Sequence, residues 1–366
     1  MKNPVSDGCS AALQRKKTLA LPRVDKDLVC ALPGDHRLSD LLGFAASPAA
    51  GLLLAEALLR PIGDLISNRG KQVRAQLVSF SYRLLSGDHV PSANAVKRCR
   101  SCADVIELIH AGSLIVDDIE DGSQMRRGRP ALHVRYGMPA ALNAGNWLYF
   151  WPFELLKEAG FAEGDLVIVY EKYQRTLLRA HYGQALDLGT RVDSLPQNEV
   201  TDVCLAAMRL KTGALMGFAA FLGATLADGS ETLMAALDDF GRDLGVALQM
   251  FDDLGNVIGR CEPAKRYEDL TLSRPSWVWA CAAQTSSPED YGQFIAAARK
   301  LPDTAELDHW LARHRVVDET RQSARAHLDR SFEKLKECLN AERARWSARV
   351  FDDLCALGEA IAVAYG

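Results

Sequence analysis

The sequence has no excess of basic charge: 43 Lys and Arg stand against 47 Asp and Glu, for a net charge of −4. With no domain-wide positive surface to neutralise phosphates, it argues against a nucleic-acid partner, although local basic clusters can still serve a small anion. It has no disulfide framework either. Nine cysteines at irregular positions are an odd number, which predicts a reducing, cytoplasmic compartment. The lone Cys99-x-x-Cys102 has no second pair or nearby histidines to complete a zinc or redox site, and reads as a coincidence on a helix. The start, MKNPVSDGCSAALQRKK, lacks the unbroken apolar stretch of a secretory leader, so the chain reads as unexported. No transmembrane segment is expected. Leu41–Leu59 is interrupted by Ser47, Pro48 and Glu56, and Ala214–Ala227 is too short, so both read as buried helices.

Alternating runs of β-branched residues are scarce, which argues against sheet. What recurs instead is apolar residues at i, i+3, i+4 and i+7 in long Ala/Leu-rich stretches, predicting an all-α fold. In Cys102–Asp121 the stripe is Val105, Leu108, Ile109, Ile115 and Val116. Breaks are expected at Gly87-Asp88, Gly128-Arg129-Pro130, Gly160, Pro196, Gly229, Glu262-Pro263 and Pro302. Residues 1–40 mix Pro, Gly, Lys and Asp without a period and are set apart as a flexible N-terminal arm; residues 41–366 read as one helical domain. Glu319–Ala364 predicts one or two amphipathic closing helices.

The segment richest in chemistry is His110-Ala-Gly-Ser-Leu-Ile-Val-Asp117-Asp118-Ile-Glu-Asp121, followed by Arg126-Arg127-Gly128. Four carboxylates within five residues at the end of an apolar helix repel one another, at a few tenths of a kcal/mol per i,i+4 pair, roughly. Asp117 and Asp121 share a helical face, and hard oxygens at that spacing suit Mg²⁺, which takes one or two carboxylates plus substrate phosphates. For this cluster alone a solvated helix end is an equal alternative. A second one, Gln249-x-x-Asp252-Asp253-x-x-Asn256, carries paired aspartates into another apolar helix. Two such helices facing each other predict metal between them, because buried carboxylates without cations are costly. Basic groups accompany both: Arg69-Gly70-Lys71-Gln72-Val73-Arg74, Arg126-Arg127, Lys211-Thr212 at the opening of an apolar helix, Lys265-Arg266, and Arg274. Guanidinium groups grip phosphate bidentately and lysine acts as a mobile point charge. Singly each reads as surface charge; together with the acidic clusters they predict a diphosphate site.

From about Leu59 to Trp279 these motifs resemble, in order, the trans-isoprenyl diphosphate synthases, the polyprenyl synthetases of the class I terpenoid fold. The resemblance rests on Gly70-Lys71-x-x-Arg74, His110 ahead of Asp117-Asp118-x-x-Asp121, Arg126-Arg127-Gly128, His133-x-x-Tyr136-Gly137, Asn143-Ala-Gly-Asn146, Gly183-Gln184-x-x-Asp187, Lys211-Thr212 and Gln249-x-x-Asp252-Asp253. It implies a single large helical bundle and an enzyme, often a homodimer. It further implies three Mg²⁺ ions, with Asp117 and Asp121 on two of them and Asp252 on the third, and Asp118 and Asp253 completing the metal-binding pairs. Arg126, Lys211 and Lys265 would clamp an allylic diphosphate, with Thr212, Gln249 and Arg274 beside it. Gly70, Lys71, Arg74, His110 and Arg127 match positions that hold isopentenyl diphosphate. The implied reaction is ionisation of the allylic diphosphate and attack on the cation by the isopentenyl double bond.

Three positions depart from the family pattern. Asn256 replaces a third aspartate, and Gln72 and Ala75 replace a basic residue and a proline. Cyclases of the same fold carry a different triad that Asp252, Asn256 and Arg260 do not match, which with Lys71, Arg74, His110 and Arg127 intact favours elongation. The remaining alternatives are a cyclase or irregular coupling enzyme, and a non-catalytic regulatory subunit. Gly112 and Ser113, one turn before Asp117, are small where short-product enzymes carry aromatics. The resemblance therefore points to a geranylgeranyl (C20) product from dimethylallyl, geranyl or farnesyl diphosphate, with helix packing as the competing role for Gly112.

Overall fold

A computed structural model describes residues 28–68, 70–260, 266–342 and 345–365. After a 3₁₀ turn at Leu28–Ala31 come α1 (Asp35–Leu42) and α2 (Pro48–Leu54), which passes through a π turn (Ala55–Leu59) into α3 (Arg60–Ile66). Then follow α4 (Val73–Ser86), α5 (Ala93–Glu120), the strands β1 (Met125–Arg126) and β2 (Arg129–Pro130), α6 (Leu132–Tyr136), α7 (Met138–Trp147), α8 (Trp151–Glu158), α9 (Glu163–Gly189) and α10 (Gln197–Met208). A second π turn (Arg209–Gly213) joins α10 to α11 (Ala214–Leu226), and α12 (Glu231–Ile258), α13 (Glu268–Thr271), α14 (Trp277–Thr285), α15 (Pro288–Ala298), α16 (Ala305–Arg313), α17 (Val316–Ala341) and α18 (Ala348–Tyr365) complete the chain. The all-α expectation holds. The two-residue antiparallel strands around Arg127-Gly128, where a plain loop was expected, are the one addition.

Local chemistry explains where the long helices begin and end. Ser92 and Ser230 stand in extended conformation and accept from Ala95 N and Leu233 N, capping α5 and α12; Gly87 and Gly259, with φ of 73° and 70°, end α4 and α12. Of the expected arm, residues 1–27 lie outside the described residues. The rest enters the 3₁₀ turn and α1, and the Trp151 indole donates to Ala31 O at 2.9 Å.

The bundle is organised around α11, every residue of which is buried. Helices α4, α5, α9 and α12 surround it. Burial of Phe218, Phe221, Leu222 and Leu226 contributes about 1.5–3 kcal/mol for each side chain. The sequence reading opens this helix at Lys211. In the structure the helical run is continuous from Gln197 to Leu226, because the π turn absorbs the extra residue without breaking the backbone ladder. That joined run is, among the described residues, the one long and apolar enough by composition to cross a bilayer, and 67 % of its apolar window is buried inside the fold.

Close approach at the centre needs glycine. A Cβ on Gly223 would stand 2.2 Å from Val78 O of α4, a contact that only backbone movement could relieve. Gly292, in contrast, faces open space on α15. Gly223→Ala is therefore expected to destabilise the protein by about 1–3 kcal/mol in urea unfolding. Gly292→Ala should stabilise it by roughly 0.5–1 kcal/mol; equal effects at both positions would contradict the packing described.

Candidate active site

Helices α4, α5, α9, α10 and α12, the second π turn and the segment 268–276 line one cavity of about 760 Å³. Its upper wall is acidic. Asp117 and Asp121 project from the last turn of α5, Asp187 from α9, Asp252 from α12 and Asp269 from α13. Lys211 Nζ donates to Asp187 Oδ2 at 2.6 Å and Asp117 Oδ1 at 3.1 Å. Arg274 pairs with Asp121 and lies 3.7 Å from Asp187. Gln184 donates to Asp117 at 3.0 Å and to Glu120 at 2.7 Å. Burial alone would lower the Lys211 ammonium, but Asp117 and Asp187 hold it above its ordinary value. Burial likewise opposes ionisation of Asp117, and Lys211, Gln184 and Arg126 overcome it, so its carboxyl lies below the usual range.

The two members of each aspartate pair part company. Asp118 is 2 % exposed and engaged by Arg126, whose Nε donates to Oδ1 at 2.9 Å and Oδ2 at 3.1 Å. Asp253 is buried in the cavity wall, accepting from Gln249 Nε2 at 2.8 Å and from the Trp277 backbone N–H at 2.6 Å, which caps α14. Gln249 in turn accepts from Thr212 Oγ1 at 2.8 Å. Adjacent residues on a helix point about 100° apart, so with Asp117 facing the cavity Asp118 turns into the packing, while Asp253 borders the cavity beside Asp252 with its oxygens taken by Gln249 and Trp277. Burial pushes Asp253 well above the ordinary carboxylate range, with Asp269 adding to it. Burial, with Asp252 and Asp187 beside it, also pushes Asp269 up to about 7.

The sequence reading set the two clusters as a carboxylate cage. Among the described residues no three His, Cys, Asp or Glu side chains converge into a ready-made metal site, because lysine and arginine stand between the carboxylates. Such spacing leaves room for a ligand whose own oxygens complete the coordination of an ion.

The other end of the cavity is basic. Gly70, Lys71 and Arg74 at the start of α4 meet His110 of α5 and Arg127 of the β1–β2 turn. Arg74 Nη1 lies 3.3 Å from His110 Nε2. A guanidinium can only donate, so Nε2 accepts and the proton sits on Nδ1. Burial, then Arg74, Arg127 and Arg126, hold the His110 imidazole well below its ordinary value and keep it neutral. Glu107, one turn back on α5, accepts from the Ala75 N–H at 3.3 Å and so caps α4, whose first turn lacks a side-chain cap. Asn256 lines the cavity and its carbonyl accepts from Tyr267 N at 3.4 Å. Arg69 and Lys265 lie outside the described residues.

Ser113 lines the cavity, its hydroxyl donating to His110 O at 2.8 Å. Gly112 faces away from it: a Cβ there would meet Gly145 O and Leu148 Cβ at 2.9 Å, so its small size serves the contact with α7 and the residue that follows it. Sequence reasoning named Asp187 and Gln184 as motif residues without giving them a site role; their i,i+3 spacing was the available signal. Glu107 carried one too, sharing a helix face with His110 and Asp117. Asp269 and Tyr149 carried none, since only tertiary packing brings them to the cavity.

Residues 55–312 match the family described as polyprenyl synthetase. The chain belongs to the polyprenyl synthetase family. It is 36 % identical over 208 residues to the short chain isoprenyl diphosphate synthase of Methanothermobacter thermautotrophicus, a match spanning 56 % of this chain and 59 % of that one. It is 30 % identical over 285 residues to the geranylgeranyl pyrophosphate synthase of Geoglobus acetivorans, covering 77 % and 85 %. The crystal structure of geranylgeranyl pyrophosphate synthetase from Pyrococcus horikoshii superposes with a TM-score of 0.72 at 23 % identity, covering 92 % of this chain and 94 % of that one. The all-α architecture is thus the isoprenyl diphosphate synthase fold.

Lys211 reaches its partners because α9 lies against the second π turn, and Gly183 permits that contact: a Cβ there would stand 2.3 Å from the Lys211 backbone N. Gly183→Ala is expected to lower catalytic turnover by about 10²-fold while circular dichroism retains the helical spectrum; full turnover would show that Lys211 placement is not critical. A pH prediction follows from His110. Its value is depressed in the folded protein relative to the ordinary 6.5, so the unfolded chain binds a proton that the folded one refuses. Wild-type stability should therefore fall as pH drops below about 6.5, and His110→Asn should flatten that slope in urea titrations between pH 5 and 8. An unchanged slope would contradict the neutral, buried imidazole.

Proposed function

We propose that the protein is a Mg²⁺-dependent prenyltransferase that joins isopentenyl diphosphate head-to-tail to an allylic diphosphate and releases a linear trans-prenyl diphosphate of C20 length. One observation carries this reading: a single cavity with an acidic end and a basic end, each able to hold a diphosphate by a different means. At the acidic end the carboxylates of Asp117, Asp121, Asp187, Asp252 and Asp269 outnumber the cations Lys211, Arg126 and Arg274. Hard oxygen donors in excess fit divalent magnesium. Asp117, Asp121 and Asp252 would hold it, three ions in all, and Asp118 and Asp253 support from behind by positioning Arg126 and α14.

Magnesium, when bound, supplies neutralisation of the departing diphosphate. Lys211, Arg126 and Arg274, joined by Lys265, would bind its oxygens and stabilise the negative charge that develops as the allylic C–O bond breaks. At the basic end Lys71, Arg74, Arg127 and neutral His110 would hold isopentenyl diphosphate and orient its double bond toward the allylic carbon. A carbon–carbon bond forms, and the released diphosphate accepts the proton lost from the adduct. Leu114, Leu177, Leu215 and Leu248 in the cavity wall keep water from the cation. Ser113 leaves space for the growing tail, and the relatives named above include a geranylgeranyl pyrophosphate synthase. Exposed apolar residues on α7 (Met138, Leu142) and α9 (Val167, Leu178, Tyr182) support a homodimer. The free thiols of the described cysteines support a cytoplasmic setting.

Purified protein with Mg²⁺, isopentenyl diphosphate and dimethylallyl, geranyl or farnesyl diphosphate should make a linear C20 diphosphate, and EDTA should abolish it. A volatile or cyclic product would replace elongation with cyclisation, and absence of turnover without a second protein would make the chain a regulatory subunit. Within that assay Asp252→Asn should cost about 10²-fold or more, and Asp253→Asn less than about tenfold, since the oxygens of Asp253 are already engaged by Gln249 and the Trp277 N–H.

A further inference from the structure

Two basic segments meet at the proposed isopentenyl diphosphate end, and neither is a regular element there. Gln72, at φ 52°, and Arg127, at φ 51°, both occupy the left-handed region, which for residues other than glycine costs about 1–3 kcal/mol unless surrounding contacts enforce it. Asn68, between α3 and the Gly70 loop, supplies such contacts. Its Nδ2 donates to Arg127 O at 3.0 Å, and Arg127 Nη1 donates back to Asn68 O at 2.6 Å, across 59 residues of sequence. The side-chain assignment is unambiguous, since a carbonyl can only accept. Gly70 completes the joint: a Cβ there would lie 2.8 Å from Arg127 Nη2, so the guanidinium rests flat against a residue without a side chain.

We propose that Asn68 is a positioning residue for the isopentenyl diphosphate end: its reciprocal pair with Arg127, seated on Gly70, sets the spacing between Arg127 and the Lys71/Arg74 segment and thereby the affinity for the second substrate. The inference rests on the function proposed above. Asn68 touches no reacting atom. Its amide fixes the backbone from which Arg127 projects, and the Asn68 carbonyl occupies one guanidinium nitrogen, so that the remaining donors face a defined direction.

The test is a split between two Michaelis constants in the full-length protein. Asn68→Ala, which removes the bond to the Arg127 carbonyl and keeps the backbone acceptor, should raise KM for isopentenyl diphosphate about tenfold, the upper end of what one lost neutral hydrogen bond costs. KM for the allylic diphosphate, and kcat at saturation with both, should stay within twofold. Asn68→Asp, which keeps the shape of the side chain and loses the N–H that Arg127 O accepts, should give the same split and serves if Asn68→Ala fails to fold. Titration calorimetry with isopentenyl diphosphate in EDTA should show the same tenfold weakening without turnover. Equal rises in both KM values, or no change in either for both variants, would overturn the assignment. Wild-type protein that makes no prenyl product sinks the functional reading itself, whereas a wild type that elongates beside unaffected variants sinks only the role of Asn68.

Discussion

The architecture turns on one charge held in common by three helical segments. Lys211 sits on the π turn ahead of α11 and reaches Asp117 on α5 and Asp187 on α9. A partly buried ammonium between two carboxylates is tolerable only with near-ideal geometry, since desolvation of each charge costs several kcal/mol, roughly, and misplacement leaves them uncompensated. That geometry depends in turn on the close contact of Gly183 with the turn and on the wholly buried α11 at the centre of the bundle. The core and the site are thus one construction: the wholly buried helix at the centre of the bundle continues from the turn that aims the lysine.

Around that lysine the cavity divides its work by charge. The acidic end gathers carboxylates from α5, α9, α12 and α13, and the basic end gathers cations from the start of α4 and the β1–β2 turn. His110 lies beside the basic group and is kept neutral by burial and by the arginines around it, so it adds a hydrogen-bonding partner without further positive charge. The paired aspartates obey the same economy of orientation. Because helical neighbours diverge, the members of each pair find different partners: Asp118 turns from the cavity to anchor Arg126, and Asp253, at the cavity wall, ties α12 to the first turn of α14.

The motifs were legible because their chemistry is local. A run such as Asp117-Asp118-x-x-Asp121 at the end of an apolar helix announces its own conflict, and the apolar period of 3.6 marks the helices on which these residues ride. Glycine breaks such as Gly87 and Gly160 marked several of the boundaries as well. What local spacing did not supply was a partner for the other members: Asp118 and Asp253 were grouped with the metal-binding pairs, without Arg126 or Trp277 assigned to them, and Gly112 was expected to face the channel that Ser113 lines.

The amino-acid sequence alone determined the all-α class, the two acidic motifs, the basic segments and the family to which they belong, since each is carried by residue type and short-range periodicity. Only the tertiary structure decided that Lys211 lies within a continuous helical run, that Asp187, Asp269 and Glu107 join the site, and that Asn68 grips Arg127 across 59 residues. The reason is physical. Helical phase can be counted along a chain, but which faces meet, and how closely, follows from how side chains and glycines interlock between helices distant in sequence.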